Sequence, residues 1–379
     1  MNGKALSHLQ YAFHYSKEPA SKKSFGVGFE YPCREDRQMV SYWDPNMPYM
    51  SDHPVPRLDP RFEEEFRDHR GFLHTVRLKG GTWRHRYRGG GEEQIHPLLM
   101  DTIQKEVGAL REITRKCKNL LEVERFMVVP HTLAIAYKHA ESLIDNSHYI
   151  TNRPMTLFYH VNMNNVGGDV RVSHAMAIHI AHEIANGLVA LYTQGWYHGK
   201  LELQNILVGG GLNLPVVKLF NVTLPKTNDD IYESYESSNI SHRDELDECM
   251  YLYSTKEELA HLLEGNRELD RFAIDMYCLG MIIYYITHTS TQRAWETGTM
   301  NSIGDLFDTL KQGERPQLHL GNSLPERILT DVITTCWHDA AEYRPSASSI
   351  RYMLGRYTSS QIQSIQSNVH RVNKRQRLN

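Results

Sequence analysis

Cysteine is scarce and scattered. The 379-residue chain holds five, Cys33, Cys117, Cys249, Cys278 and Cys336, with no Cys-x-x-Cys pair among them. An odd, dispersed set is not a disulfide framework and suits a reducing compartment. An excess of one charge is also lacking. Lys plus Arg number 42 against 45 for Asp plus Glu, a formal net charge of −3. That balance argues against nucleic acid as the main partner, which needs a clearly basic face. There is no long apolar run. The longest, near Met276–Ile286, is too short to cross a bilayer and reads as a buried helix, so no membrane span is expected. Met1–Ser16 carries no apolar core segment, so no signal peptide is expected and a cytoplasmic location follows. Hydrophobic residues make up 40% and charged residues 23%, ordinary values for a soluble globular chain. The length allows one large two-lobed domain with tails, or two ordinary domains.

Residues 1–64 mix proline, tyrosine and charge without a persistent period, and read as a poorly ordered N-terminal arm. From Met100 to Cys117, Ile103, Val107, Leu110 and Ile113 form one helical stripe. Val123–Val129, Leu133–Tyr137 and Met155–Val161 suit strands. Ser173–Tyr192 is a long amphipathic helix with Ile178, Ala181, Ile184, Leu188 and Leu191 on one face. His179 and His182 sit three apart on it, and no further ligands accompany them, so they read as a surface pair and no metal site is expected. Gly209-Gly210-Gly211-Leu212-Asn213 is a turn between the strands Ile206–Val208 and Val216–Phe220. Residues 225–250 are rich in acidic and hydroxyl side chains and read as a mobile loop. Tyr232 and Tyr235 lie in that acidic setting and are candidate phosphorylation sites; the plainer reading is that they are exposed tyrosines. Asn221-Val222-Thr223 and Asn239-Ile240-Ser241 fit the glycosylation pattern, which without a secretory signal is read as chance. The tail 358–379 is basic around Lys374-Arg375-Gln376-Arg377. It reads as a solvated tail, with nuclear import as the alternative.

The most informative stretch is Tyr197-His198-Gly199-Lys200-Leu201-Glu202-Leu203-Gln204-Asn205-Ile206-Leu207-Val208, followed by Val217-Lys218-Leu219-Phe220-Asn221-Val222-Thr223. The spacing is similar to the catalytic loop of protein kinases, His-Arg-Asp-Leu, three residues and Asn, followed by Asp-Phe-Gly. His198, Leu201 and Asn205 fall in place. Lys200 stands where the base aspartate belongs, and Asn221-Val222-Thr223 where Asp-Phe-Gly belongs. Further along, Asp270–Gly280 resembles the buried Asp-x-Trp-Ser-x-Gly helix of kinases. Gly313-Glu314-Arg315-Pro316, Cys336-Trp337-His338-Asp339 and Tyr343-Arg344-Pro345-Ser346 resemble the series seen in tyrosine kinases and tyrosine-kinase-like proteins. Several motifs in order over residues 65–357 carry the resemblance.

The resemblance implies an α+β, bilobal protein-kinase-like fold, with a small β-rich N-lobe over about 65–165 and a larger helical C-lobe over about 166–357. It implies that Asp275 accepts hydrogen bonds from the catalytic loop and that Arg344 pairs with Glu257, Glu258 being the alternative register. Gly71-Phe72-Leu73-His74-Thr75-Val76 with Gly80-Gly81-Thr82-Trp83 resembles the hairpin that covers ATP, keeping Gly71 but with His74 crowding the phosphates. The following strand, 83–88, brings no lysine. Arg86 or Arg88 is nearest, but arginine does not replace a lysine point charge in a fixed pocket, and both read as part of a solvated edge strand. Glu106 resembles the glutamate that pairs with the missing lysine.

Chemistry should then be absent. A protonated lysine has no lone pair with which to accept a hydroxyl proton. Losing a general base costs roughly 10²–10⁴-fold. Asn221 is neutral and offers one carbonyl oxygen, a poor ligand for a hard cation. The expectation is a pseudokinase acting as a scaffold or allosteric regulator in intracellular signalling, with protein partners, an active kinase among the candidates. No bound cofactor is expected, and any weak nucleotide pocket would be built from Gly71, Arg88, Glu106, Asn205 and Asn221. Two alternatives stand. One is a nucleotide-sensing switch without turnover. The other is an atypical weak kinase in which Lys200 contacts phosphate and Glu202 acts as base.

Overall fold

A computed structural model describes residues 27–29, 39–43, 71–77, 97–129, 132–138, 155–157, 161, 172–209, 215–225, 253–264, 269–288 and 303–357. The chain divides into two compact units. The described parts of the first are five strands and a helix: β1 (Val27–Phe29), β2 (Met39–Trp43), β3 (Gly71–Arg77), α1 (Pro97–Lys116), β4 (Val123–Val129) and β5 (Thr132–Tyr137). They form an antiparallel sheet in the order β1-β2-β3-β5-β4. Leu133–Tyr137 of β5 are all buried, as befits a strand flanked on both edges. Leu73 pairs with Ala136 on one side of β3 and with Ser41 on the other. In α1 the stripe Ile103, Val107, Leu110 and Ile113 is buried. The Thr114 hydroxyl accepts from the Val123 amide at 3.1 Å, tying the end of α1 to β4.

Three sequence readings are corrected in this part of the chain. β1 and β2 lie inside the stretch 1–64 read as a poorly ordered arm, and they add two strands to the sheet. With three and five residues they are too short to establish a period. The sequence beginning at Gly71 reads as a phosphate-covering hairpin. It is an internal strand, hydrogen-bonded to β2 and β5. Of the strand read over Met155–Val161, Met155–Thr156 form β6, while the described Leu157 and Val161 are buried and helical.

The second unit contains β6, α2 (His174–Tyr192), β7 (Ile206–Gly209), β8 (Val216–Leu219), α3 (Lys256–Glu264), α4 (Arg271–Thr287), α5 (Ile303–Lys311), α6 (Leu324–Cys336) and α7 (347–357). β6, β7 and β8 form a small sheet in that order. α4 is buried at every residue from Ala273 to Thr287. A helix apolar all round belongs at the centre of a core, where each Leu, Ile or Met side chain contributes about 1.5–3 kcal/mol through burial. Asp270 caps α4, accepting from the Ala273 amide at 3.0 Å. Ser323 and Glu326 form a capping box at the start of α6. α6 packs close on α4 because Gly280 has no side chain: a Cβ there would stand 2.9 Å from that of Cys336. The run Met276–Ile286 lies within α4, and among the described residues no helix is long and apolar enough to cross a membrane.

The segment Cys117–Leu120 belongs to the second unit. The Asn119 side-chain amide donates to Glu183 at 2.8 Å and to the Val217 carbonyl at 3.1 Å, and the Leu219 amide donates to the Asn119 carbonyl at 2.8 Å. Burial alone would raise the Glu183 pKa. Hydrogen bonds from His182, Asn119 and Lys118 win, and hold it at about 2. No motif in the sequence marks this contact.

Candidate functional site

The site is built where α2 ends. Thr193 caps the helix, and Gly195, at φ 72°, turns the chain into the loop that begins at Trp196. The loop is suspended from α4. Asp275 accepts from the backbone amide of His198 at 2.6 Å and from that of Gly199 at 2.9 Å, while the Tyr192 hydroxyl donates to it at 3.2 Å. Burial pushes the Asp275 pKa up to about 7, and the two amides and the hydroxyl restrain the rise. The His198 side chain is 0% exposed. Burial drives its pKa down to about 3, against the Phe220 backbone carbonyl, which favours the charged form. The ring is therefore neutral, and its Nδ1 accepts from the Lys200 amide at 3.3 Å.

Gly199 is at φ 72°, in the left-handed region that other residues enter only at a cost. A Cβ on it would stand 2.6 Å from the Thr223 hydroxyl oxygen. After Lys200 the chain makes one 3₁₀ turn, Leu203–Asn205, and enters β7. β7 and β8 pair with Ile206 opposite Leu219, which brings Asn205 beside Phe220 and Asn221. The Phe220 amide donates to the Asn205 carbonyl at 3.1 Å, and the Thr223 amide to the His198 carbonyl at 2.9 Å. Asn221 is at φ 62°; asparagine is among the few residues that tolerate this conformation. Its side-chain amide donates to the Asn205 side-chain oxygen at 3.0 Å, and the Asn205 amide donates to the Lys200 carbonyl at 2.8 Å. Both asparagines are 5% exposed.

The structure thus brings His198, Lys200, Asn205, Asn221 and Asp275 together. It also brings Arg344 to Glu257: one guanidinium nitrogen donates to both carboxylate oxygens, at 2.9 and 3.1 Å. Arg344 donates further to the carbonyls of His338 at 2.9 Å and Ala273 at 3.2 Å. Glu258 faces elsewhere, accepting from the Thr255 amide and hydroxyl at 3.2 and 3.3 Å. Glu106 lies on α1 and is 7% exposed. Gly71 opens β3. Arg88, Tyr232, Tyr235, Asn239 and the basic tail lie outside the described residues.

One minor reading changes, and another is upheld. His179 and His182 are half-buried and not a surface pair: His179 Nε2 meets the Pro215 carbonyl at 2.9 Å, and His182 Nδ1 lies 3.4 Å from Glu183. The buried, engaged side chain of Asn221 is no glycan acceptor. Among the described residues no group of three or more His, Cys, Asp and Glu is arranged to hold a metal ion. Sequence reading also passed over Lys79. β3 is the third strand of its sheet, and in the sequence its last residues Val76-Arg77 are followed by Leu78-Lys79. This resembles the Val-Ala-Ile-Lys run that carries the phosphate-pairing lysine on the third strand in kinases. The signal is present in the sequence, but the run 83–88 competes with it for the role of that strand. Lys79 itself lies outside the described residues.

Comparison with known proteins gives one family. The model for protein tyrosine and serine/threonine kinases matches residues 93–354, a span holding Glu106, the whole loop and turn, Glu257, Asp275 and Arg344. No curated protein matches the chain.

Proposed function

The chain belongs to the protein tyrosine and serine/threonine kinase family, and we propose that it is a member that does not transfer phosphate and works instead by binding other proteins, as a scaffold or allosteric regulator in intracellular signalling. The observation that carries this reading is Lys200, which stands at the position of the catalytic base in a loop otherwise held in place. An ammonium group donates only. The neighbouring groups do not replace the base. The Asp275 carboxylate is occupied by two backbone amides and a tyrosine hydroxyl, and the His198 ring is fully buried. Glu202, the substitute base of the weak-kinase alternative, is itself buried. The binding frame survives because the ties that hold it, Asp275 to the loop and Arg344 to Glu257, need no nucleotide. The Gly-x-Arg-Pro, Cys-Trp and Arg-Pro-Ser series around Arg315, Trp337 and Arg344 favours a tyrosine-kinase-like origin. The test is a γ-phosphate transfer assay on the full chain, with and without candidate protein substrates. Background transfer is expected. Transfer that Asn221→Ala abolishes overturns the reading.

A nucleotide-sensing switch without turnover is the second reading. It is favoured by Lys79 following β3 and by the burial of Glu106, since a buried glutamate is seldom left without a charged or polar partner. A thermal-shift titration with ATP separates the two readings. A ligand that binds only the folded state raises the melting temperature by mass action. A shift that Lys79→Ala removes supports the switch, and no shift in wild type supports the plain scaffold.

A further inference from the structure

The kinase family implies a divalent cation between the loop asparagine and the turn aspartate. The residues present here do not fit one. The pattern Asp, Asn, Asp has become Lys200, Asn205, Asn221, so no carboxylate remains at these three positions to neutralise a hard cation. The side-chain orientations oppose it as well, and they follow from a chain of donors and acceptors. The Lys200 carbonyl can only accept, so the group of Asn205 facing it at 2.8 Å is its NH₂. The Asn205 oxygen then points the other way, towards Asn221. Asn221, 3.0 Å from that oxygen, must present its own NH₂. The Asn221 oxygen is therefore turned away, and the two side-chain oxygens do not converge on a common point.

We propose that this amide pair takes the place of the cation: a direct Asn221–Asn205 hydrogen bond latches the loop to the turn and makes their arrangement independent of divalent metal. The rest of the turn is consistent with a permanent latch. The Phe220 and Thr223 amides bind the loop's carbonyls at 3.1 and 2.9 Å, and both asparagine side chains are shielded from water that would compete for the bond. The inference concerns the same loop as the inactive reading but does not depend on it, because a transfer assay and the measurement below can fail separately.

The experiment is thermal unfolding of the full chain in chelator, in excess Mg²⁺ and in excess Mn²⁺, without nucleotide. Wild type is expected to melt at one temperature in all three. Asn221→Asp retains the backbone preference and replaces the NH₂ by an oxygen facing the Asn205 oxygen. It is expected to melt several degrees lower in chelator and to recover with Mn²⁺ or Mg²⁺. Asn221→Gly accepts the positive φ without strain but has no side chain. It is expected to melt lower and to gain nothing from metal. A rise of the wild-type melting temperature with either cation overturns the proposal, and that arm needs no variant to fold. Wild-type stability in Asn221→Gly, or an Asn221→Asp protein that melts like wild type in chelator or gains nothing from metal, overturns it too.

Discussion

Gly199 and Thr223 are steric partners: a Cβ on Gly199 would lie 2.6 Å from the Thr223 hydroxyl oxygen and 3.0 Å from its Cβ. In the kinase pattern His-Arg-Asp and Asp-Phe-Gly, the large residue is in the loop and the glycine in the turn. Here the two have exchanged sides, His198-Gly199-Lys200 against Asn221-Val222-Thr223. Gly199→Ala should therefore destabilise the domain twice over. The left-handed backbone costs about 1–2 kcal/mol, and overpacking against Thr223 costs about 1–3 kcal/mol more. Adding Thr223→Gly should relieve the Thr223 share of the second part, leaving the Tyr197 ring edge at 3.0 Å. A double-mutant cycle by urea denaturation measures the coupling, and additivity of the two changes would disprove the contact. The Thr223 hydroxyl has no hydrogen-bond partner among the described residues, so Thr223→Val should be neutral or stabilising by about 1 kcal/mol.

The ion pair of Arg344 selects between two adjacent glutamates. Arg344 is all but buried at its side chain, at 1% exposure, while Glu257 keeps 25%. Removing one partner of a buried pair leaves a stranded charge, which costs about 3–5 kcal/mol when fully enclosed. Glu257→Ala should fall at or just below about 3 kcal/mol on that scale. Glu258→Ala removes only a local cap, the acceptor of the Thr255 amide and hydroxyl, and should cost about 1 kcal/mol. Equal losses in chemical denaturation would contradict the pairing.

Two buried groups in the loop set opposing pH dependences. His198 is held neutral, with a folded pKa of about 3 against 6.5 in the open chain. Its unfolded form binds the proton more readily between those values, so stability is full above pH 6.5 and is lost as pH falls towards 3. Asp275, raised from 3.8 to about 7, acts the other way: its folded form holds the proton, so stability is gained as pH falls from 7 to 3.8 and lost as pH rises. The two slopes oppose each other over the shared window. Replacing the ring by His198→Gln should unmask the Asp275 contribution. The stability of the variant relative to wild type should improve on acidification from pH 6.5, by at most about 1.4 kcal/mol per pH unit. A pH-independent difference would show that the ring does not titrate on unfolding.

Glu183 should produce a separate acid limb. Its folded pKa of about 2 lies below the ordinary 4.5, so its contribution is present above pH 4.5 and is lost as pH falls towards 2. Glu183→Gln should lower stability at neutral pH and flatten the acid limb, which denaturation at several pH values would reveal.

Restoring the base alone should not restore transfer. Lys200→Asp returns a group worth roughly 10²–10⁴-fold, but Asn221 still holds Asn205 by its amide. Transfer by Lys200→Asp is expected to stay at background in a γ-phosphate assay, and measurable turnover would show that the base was the only missing part.

Much of this was legible in the chain itself. The 3.6-residue period marked α1 and α2, the apolar run marked α4, and a glycine-rich turn between two short apolar runs marked β7 and β8. Motif spacing placed Lys200, Asn205, Asn221, Asp275 and Arg344 in one functional frame. β1 and β2 escaped because three and five residues carry no usable period, and β3 because the glycines around it resemble those of a phosphate-covering hairpin.

The identities of the groups, and hence the loss of carboxylates at positions 200 and 221, were determined by sequence, because chemistry belongs to the residue. Tertiary structure decided which groups meet. Arg344 meets Glu257 rather than Glu258, and Asn119 meets Glu183 without any motif. Asn221 offers Asn205 its NH₂ and not its oxygen. These contacts join segments far apart in the chain, and each orientation depends on a third group: the Lys200 carbonyl turns Asn205, and Asn205 turns Asn221. Linear spacing sets local backbone geometry. Only packing sets the direction of a side-chain hydrogen bond.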